Sequence, residues 1–483
     1  MEKQVFNHTL KSSGSGKSTQ IPKFILEHYI LSRKGNQCNI LVTQPRRIAT
    51  IGLAQRVSHE LGESVGETVG YAIRLDGKSS PSTQLLYCTT GVLLKKLENS
   101  SSQTSMFLNE YSHIIIDEVH ERCIEIDFIL LILKQLLSVR TNLKVILMSA
   151  SANAHLLAQY FGGNPPIMNI PGRTYIVETF HLEDILSLVP YTPKGEYRRQ
   201  NSKDRSSEGG GLCIDDNCIS IEELKNRYPD KPKAVLHSIQ KIDQTVIQYP
   251  LIKNVILFCI EYLEGKESFT PKAKQMGGRL SVSQYRCILV FLPGFQEIVN
   301  LRNILLKEEA IKKVTNNGQY CLALHSSVST KDQRRIFEVP DLGLIKIILA
   351  TNIAETSLTI PDVCLVIDSG KMKESRYDSS KGVVSLDECW ISKSSALQRA
   401  GRAGRVCAGI CLRMYSSKMA EKLEDEQTPE IRRTPLEQLL LRIKMLPILQ
   451  SSTLLDVVKL LIDPPPLNAV RVAIRSLQSL KVI

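Results

Sequence analysis

The chain has 483 residues, 43% of them hydrophobic, ample for the buried cores of about two to four domains. Its formal net charge of +12 favours a polyanionic partner, nucleic acid ahead of a membrane surface. The 12 cysteines are scattered, and the closest pairs, Cys213/Cys218 and Cys407/Cys411, lack the spacing of a zinc site or a disulfide framework. Reduced thiols in an intracellular protein are therefore expected, cytoplasmic with the nucleus as the alternative. The amino terminus carries no signal-peptide core. No apolar run is longer than that of Phe128 to Leu133, too short to span a bilayer, so no membrane role is expected.

Residues 14–19 read Gly-Ser-Gly-Lys-Ser-Thr, the second half of a phosphate-binding loop. In such a loop Gly14, Ser15 and Gly16 present backbone N–H groups to phosphates, Lys17 reaches the β/γ-phosphates and Ser18 ligates Mg2+. Thr19 to Tyr29 reads as the helix whose N-terminus faces the anion. Lys11 stands where the complete pattern has its first glycine. The preceding Phe6-Asn7-His8-Thr9-Leu10 is more polar than the buried strand expected there. A Gly/Ser linker is the competing reading.

Asn39 to Thr43 reads as a buried strand feeding Gln44-Pro45-Arg46-Arg47. Two arginines on a strand-to-helix turn suit bidentate phosphate contacts; a solvated basic turn is the alternative. Leu85 to Cys88 is a strand followed by Thr89-Thr90-Gly91, where small hydroxyls and a glycine permit close approach to a sugar–phosphate backbone. Residues 114–122 read Ile-Ile-Ile-Asp-Glu-Val-His-Glu-Arg. The β-branched run suits a strand buried on both faces of a parallel sheet. Its charged tip emerges at the carboxyl end, where open α/β sheets bind ligands. There one of Asp117 and Glu118 holds Mg2+ and the other orients or deprotonates an attacking water, unless the pair is simply an exposed acidic turn. Lys144 to Met148 is a further strand ending in Ser149-Ala150-Ser151. Strand and helix patterns alternate to about residue 170, which predicts a doubly wound parallel sheet.

Residues 195–211 are charged and then glycine-rich, the composition of a flexible surface insertion. Pro250 can open a helix, with Leu251, Val255, Phe258, Cys259 and Tyr262 on one core-facing side. A second alternating block has strands at Cys287–Leu292, Leu322–His325, Lys346–Ala350 and Val363–Ile367. Then comes Gln398-Arg399-Ala400-Gly401-Arg402-Ala403-Gly404-Arg405. Small spacers let such a backbone pack tightly while guanidinium groups project outward as arginine fingers, worth about 10³–10⁵ in rate; an exposed basic helix is the alternative. From Pro429 onward the pattern is helical, basic and leucine-rich.

In order, GSGKST, TQPRR, YCTTG, DEVH, SAS, VFLPG, ATNIAETSLTIPD and QRAGRAGR resemble the DEAH-box group of superfamily-two helicases, in its RNA-helicase-A-like branch and with a DEVH variant of the box. The resemblance covers nearly the whole chain, interrupted near residues 195–240. It implies an α/β fold of two RecA-like, doubly wound parallel-sheet domains. These are expected at 1–178 and 179–415, the second carrying the insertion. A small, mostly helical, degenerate winged-helix domain is expected at 416–483, ending before the ratchet and oligonucleotide-binding-fold domains of the family. It also implies an ATP-dependent RNA helicase using ATP and Mg2+ in the cleft between RecA domains. RNA would lie across both, with 3′-to-5′ translocation and a protein activator as a further partner.

Residue by residue, the resemblance implies that Lys17 and Ser18 are phosphate and Mg2+ contacts, within a loop that includes Gly14, Ser15, Gly16 and Thr19. Asp117 and Glu118 resemble the Mg2+ carboxylate and the water-activating base. His120 resembles the residue coupling hydrolysis to Ser149-Ala150-Ser151. Gln398 would position water, and Arg402 and Arg405 would touch the γ-phosphate. Arg56 and Phe337 match the positions that sandwich the adenine. Arg46, Arg47, Thr89, Thr90 and Thr351 resemble RNA-backbone contacts. Two other readings use the same residues: an RNA-binding scaffold with a weak or dead nucleotide site, motivated by Lys11, and a DNA-directed motor, since backbone contacts do not settle the sugar.

Overall fold

Unbroken apolar strands demand cover on both faces, and the chain supplies it twice. The computed structural model describes residues 5–9, 16–98, 110–150, 154–163, 165–170, 172, 175–193, 219–268, 285–356, 360–378, 382–446, 449 and 453–482. Two compact units result. One comprises Met1–Arg173, Ser375–Leu386 and Thr428–Ile483; the other comprises Thr174–Glu374 and Asp387–Gln427. Lys11, Gly14, Ser15 and Ser151 lie outside the described residues.

The first unit is built on β1 (Val5–Thr9), β2 (Ile40–Gln44), β3 (Val69–Ile73), β4 (Asp76–Lys78), β5 (Leu85–Thr89), β6 (His113–Ile116), β7 (Lys144–Ser149) and β8 (Ile167–Asn169). Their order across the sheet is β4-β3-β5-β2-β6-β7-β1-β8. Every neighbouring pair is parallel except β3–β4. Successive side chains of a strand point to opposite faces, and the two cores follow that period. Leu41, Leu86, Cys88, Ile114, Ile116, Val145 and Leu147 enter one core. Ile40, Val42, Leu85, Tyr87, Ile115, Ile146 and Met148 enter the other. The strand β1 forms between β7 and β8 despite its polar sequence; a strand with neighbours on both sides satisfies its backbone whatever its side chains are.

The carboxyl-terminal helices Glu437–Met445, Leu454–Lys459 and Leu467–Ser479 join the first of these cores through Leu439, Leu440, Ile443, Val457, Val470 and Leu477. A polar clasp accompanies them. Arg122 Nε lies 2.8 Å from Asp127 Oδ1, and its Nη2 lies 2.7 Å from Asp463 Oδ2. Glu430 N donates to the Arg122 carbonyl at 3.2 Å, and Ile124 N donates to Glu430 Oε2 at 3.1 Å. The segment after the acidic tip of β6 is thus tied to the end of the chain.

The second unit is an all-parallel sheet of β9 (Val177–Phe180), β10 (Cys287–Phe291), β11 (Cys321–Leu324), β12 (Lys346–Ala350), β13 (Val363–Asp368) and β16 (Gly409–Arg413). The order is β11-β12-β10-β13-β16-β9. A hairpin of β14 (Lys371–Asp378) and β15 (Val383–Trp390) leaves the sheet. Pro250 sits in the first turn of the helix Tyr249–Leu263; Leu251, Val255 and Cys259 are buried and Phe258 and Tyr262 partly so, all in one core. Both sheets are of the expected parallel, helix-covered class. Among the described residues, no helix is long and apolar enough to cross a membrane.

His113 opens β6 at 3% exposure. Its Nδ1 lies 2.8 Å from Ser112 Oγ, and Tyr29 packs edge-on against its ring. Burial, aided by Lys144, lowers its pKa from 6.5 to about 4. The unfolded chain therefore takes up this proton first as pH falls, so the stabilisation present above pH 6.5 is lost progressively toward about pH 4. The loss is about 3 kcal/mol for this ring. Urea unfolding followed across that window is expected to show a steeper acid decline in the native chain than in His113→Gln; parallel declines would contradict the assignment.

Candidate active site

The site begins where a helix must start without a side-chain cap. Gly16 adopts φ 75°, left-handed backbone, and the helix Lys17–Leu31 follows with no acidic residue in its first turn. A Cβ at Gly16 would be strained by that φ and would crowd Gln20 Cγ at 3.3 Å. Amide groups of an uncapped first turn have no intrahelical acceptor and attract an anion. Thr19 turns its hydroxyl back to the Gly16 carbonyl at 3.0 Å.

Two strands away, with β7 between, the tip of β6 delivers Asp117. Its carboxylate is fully buried and collects three donors. Ser18 Oγ and Gln44 Nε2 each donate to Oδ2 at 2.5 Å, and Glu118 N donates to Oδ1 at 2.9 Å. Lys17, 6% exposed, brings Nζ to 3.5 Å from Glu118 Oε2 and 4.0 Å from Asp117 Oδ1. Burial raises the Asp117 pKa, and the Glu118 carboxylate raises it further; Lys17, Ser18 and Gln44 pull the other way. Beneath them the Tyr87 hydroxyl donates to the Ser18 carbonyl at 2.9 Å. Burial, then Asp117, pushes that phenol well up and keeps it a donor.

The loop that carries Glu118 is strained at both ends. Glu118 has φ 53° and Arg122 φ 47°, flanking the 3-10 turn Val119–Glu121. Left-handed backbone costs a non-glycine residue about 1–2 kcal/mol and persists where surroundings over-determine it. Here Arg122 is pinned by Asp127 and Asp463. His120 Nδ1 accepts from Ala150 N at 3.2 Å, so the neutral ring carries its proton on Nε2. The same Nδ1 lies 3.5 Å from Glu118 Oε2; with its lone pair used by Ala150 it has no proton to offer there, and the backbone contact is the bond that counts. The arrangement thus gathers Lys17, Ser18, Asp117, Glu118 and His120 around one anion-attracting helix end.

The other expected residues fall as follows. Arg46 pairs with Glu121 at 3.1 Å, and Arg47 donates to the Arg74 carbonyl at 2.8 Å. Thr89 and Thr90 sit at the carboxyl end of β5 and Thr351 at that of β12, all three buried. Arg56 is exposed and grips Glu60 at 2.6 Å. In the second unit, Phe337 ends the 3-10 turn Arg335–Phe337 and is half-buried. Gln398 and Arg405 are half-buried, and buried Arg402 donates through Nη2 to the Glu355 carbonyl.

The 398–405 segment is not a row of outward guanidiniums. Its helix ends at Ala400. Arg399 is fully buried, with Nε 3.1 Å from Glu355 Oε2, Nη1 2.8 Å from Asp368 Oδ1 and the guanidinium over the Phe291 ring at 4.9 Å. Burial opposes its charge, and Asp368 and Glu355 more than offset that, so it is protonated more firmly than in water. The small spacers do pack tightly, within the same unit: a Cβ on Gly404 would lie 2.7 Å from the Tyr175 carbonyl, whose own amide donates to the Gly404 carbonyl at 2.9 Å. Sequence reading missed Gln44, Tyr87 and the inward role of Arg399. A polar Gln44 ending an apolar strand beside the strand of Asp117 was the available signal for the first.

Residues 7–158 match the DEAD/DEAH box helicase family, and residues 271–407 match the helicase conserved C-terminal domain. The two parallel sheets are accordingly RecA-like helicase domains. The putative ATP-dependent RNA helicase DHX57 of Homo sapiens is 40% identical over 95% of this chain and 34% of its own length. The DExH-box ATP-dependent RNA helicase DExH1 of Arabidopsis thaliana is 41% identical over 97% of this chain and 44% of its own. The ATP-dependent DNA/RNA helicase DHX36 of Homo sapiens is 38% identical, over 98% and 44%. The chain spans less than half the length of these relatives.

Removing one member of a buried ion-pair network strands the others. Arg399→Met is expected to destabilise the second unit by about 3–5 kcal/mol, read as a lower denaturant midpoint; a midpoint within experimental scatter of the parent would contradict the buried-anchor assignment.

Proposed function

We propose that this chain, which belongs to the DEAD/DEAH box helicases, is an ATP-driven motor on RNA that hydrolyses ATP to move along RNA in the 3′-to-5′ direction and to unwind or remodel it. The observation that carries the reading is the buried Asp117 cluster. One carboxylate, one serine hydroxyl and one lysine converge at an uncapped helix start, the equipment for a triphosphate with its cation.

The donor set fits Mg2+, a hard cation that takes oxygen ligands and keeps several of them as water and substrate phosphate. Ser18 and Asp117 supply oxygens, and among the described residues no group of three or more His, Cys, Asp or Glu could hold a metal unaided. The cation, when bound, neutralises phosphate charge. In this reading Lys17 lies along the β/γ-phosphates, and Gly14, Ser15, Gly16 and Thr19 complete the loop. Glu118 takes the proton of the attacking water, and Asp117, held by Gln44, keeps Ser18 oriented. His120 ties the base-bearing loop to Ala150 at the end of β7, so displacement of either is felt by the other.

Gln398 positions water, and Arg402 and Arg405 serve the γ-phosphate. Arg56 and Phe337 stack the base, a contact every nucleobase can make. Arg46, Arg47, Thr89, Thr90 and Thr351 bind the RNA backbone, which makes binding sequence-independent and steeply salt-sensitive. The Arg46–Glu121 pair links that backbone grip to the acidic loop. The proposal extends to residues 416–483 as a degenerate winged-helix domain, to a protein activator and to a cytoplasmic location. The printed name of DHX36 includes DNA, which supports a second reading in which DNA also serves as track; competition between matched RNA and DNA strands separates the two.

ATP turnover measured with and without poly(U) tests the proposal. RNA is expected to stimulate turnover by the native chain. Glu118→Gln should remove about 10²–10⁴ of the rate, and Lys17→Ala should abolish the stimulated component. Stimulated turnover that survives both substitutions would sink the assignment.

A further inference from the structure

Lys346 opens β12 with no exposed surface. Its Nζ donates to the Ile336 carbonyl at 2.7 Å and to the Glu338 carbonyl at 2.8 Å, and it lies 2.7 Å from Asp362 Oδ1. An ammonium has three protons and no acceptor; two of them go to these carbonyls, and Asp362 sits beside the group as its ion-pair partner. The two carbonyls belong to the residues on either side of Phe337, where the 3-10 turn Arg335–Phe337 gives way to extended chain. Asp362 comes immediately before β13, two strands from β12 across β10, so the tripod joins the base of the sheet to this one turn.

A charge pair buried this deeply returns little net stability, and apolar residues of similar volume commonly do as well or better. What apolar residues cannot do is hold two carbonyls. Ile336 faces the core at 0% exposure, Lys346 holds the carbonyls before and after the next residue, and Phe337 is left half-buried on a backbone anchored on both sides.

We propose that Lys346 and Asp362 are positioning residues for Phe337, setting the ring as a fixed platform for the nucleotide base. The proposal rests on Phe337 as the base contact named above. Neither Lys346 nor Asp362 touches nucleotide or cation; both act through the turn. Held in this way, the platform loses little freedom when a base stacks on it, and it contributes affinity for anything carrying a base but none for the phosphates alone.

The test uses the full chain and calorimetric titration with two ligands, ATP and inorganic tripolyphosphate, which lacks a base. Lys346→Met alone would strand Asp362, so the informative variant is Lys346→Met with Asp362→Leu, which removes both charges at similar volume. It is expected to weaken ATP about tenfold, the scale of one base–aromatic stack, as is Phe337→Ala. The triple variant should be no weaker than Phe337→Ala, and tripolyphosphate should bind all of them within about twofold of the native chain. The near-isosteric Asp362→Asn, the fallback should the double variant not fold, should show a smaller loss confined to ATP. Native ATP affinity in the folded double variant, or in Asp362→Asn if that stands in, with a loss in Phe337→Ala, overturns the positioning role and leaves the platform standing. Native ATP affinity in Phe337→Ala removes the platform and this proposal with it. Parallel loss of ATP and tripolyphosphate marks general disruption and likewise overturns it.

Discussion

A carboxylate with no contact to water sits at the tip of a strand, and the first unit is arranged around keeping it there. An isolated buried charge is prohibitively costly, so Asp117 needs donors, and each comes from a different element. Ser18 arrives from the helix after β1, Gln44 from the end of β2, and the Glu118 amide from the loop after β6. Parallel strands put all those ends on one edge of the sheet. Even so, burial and Glu118 leave the Asp117 carboxyl harder to ionise than in water. A second positive charge beside Lys17 would relieve that, which supports the proposed cation site.

The loop beyond Asp117 shows how the tension is held. Glu118 and Arg122 both adopt left-handed backbone, and the second is locked by Asp127 and by Asp463 near the end of the chain. The carboxyl-terminal helices share the core of the sheet, so the strained loop, the acidic tip and the last helices form one mechanical body. In the second unit the buried charges do comparable work. Arg399 binds the turn after β12 to the end of β13 through Glu355 and Asp368, and Lys346 binds the other end of β12 to the turn bearing Phe337.

Much of this was legible in the sequence, for a definite reason. Strands such as Ile114–Ile116 and Lys346–Ala350 are apolar because both faces are covered, and that pattern survives any change of context. The acidic tip, the Lys17–Ser18 start and the arginine turn at Arg46–Arg47 could be placed because their chemistry is unusual at strand ends. What resisted reading was direction. Nothing in the alternation of Arg399, Arg402 and Arg405 says which guanidinium turns inward; that depends on Glu355 and Asp368, 44 and 31 residues away. Likewise β1 is polar, and its place inside the sheet follows from backbone pairing with β7 and β8. The roles of Gln44 and Tyr87 were hard to read because their partners, Asp117 and Ser18, lie 73 and 69 residues from them in sequence; for Gln44 the one cue was a polar residue closing an apolar strand.

In the proposed function the Asp117 cluster is a preformed seat for a cation carried by a triphosphate. The direct measurement is ATP affinity with and without Mg2+, by calorimetry, in the native chain and in Asp117→Asn, which keeps the shape and drops the charge. Mg2+ is expected to tighten ATP binding to the native chain, and Asp117→Asn to lose most of this tightening while still binding ATP. An identical dependence on Mg2+ in both proteins would contradict it.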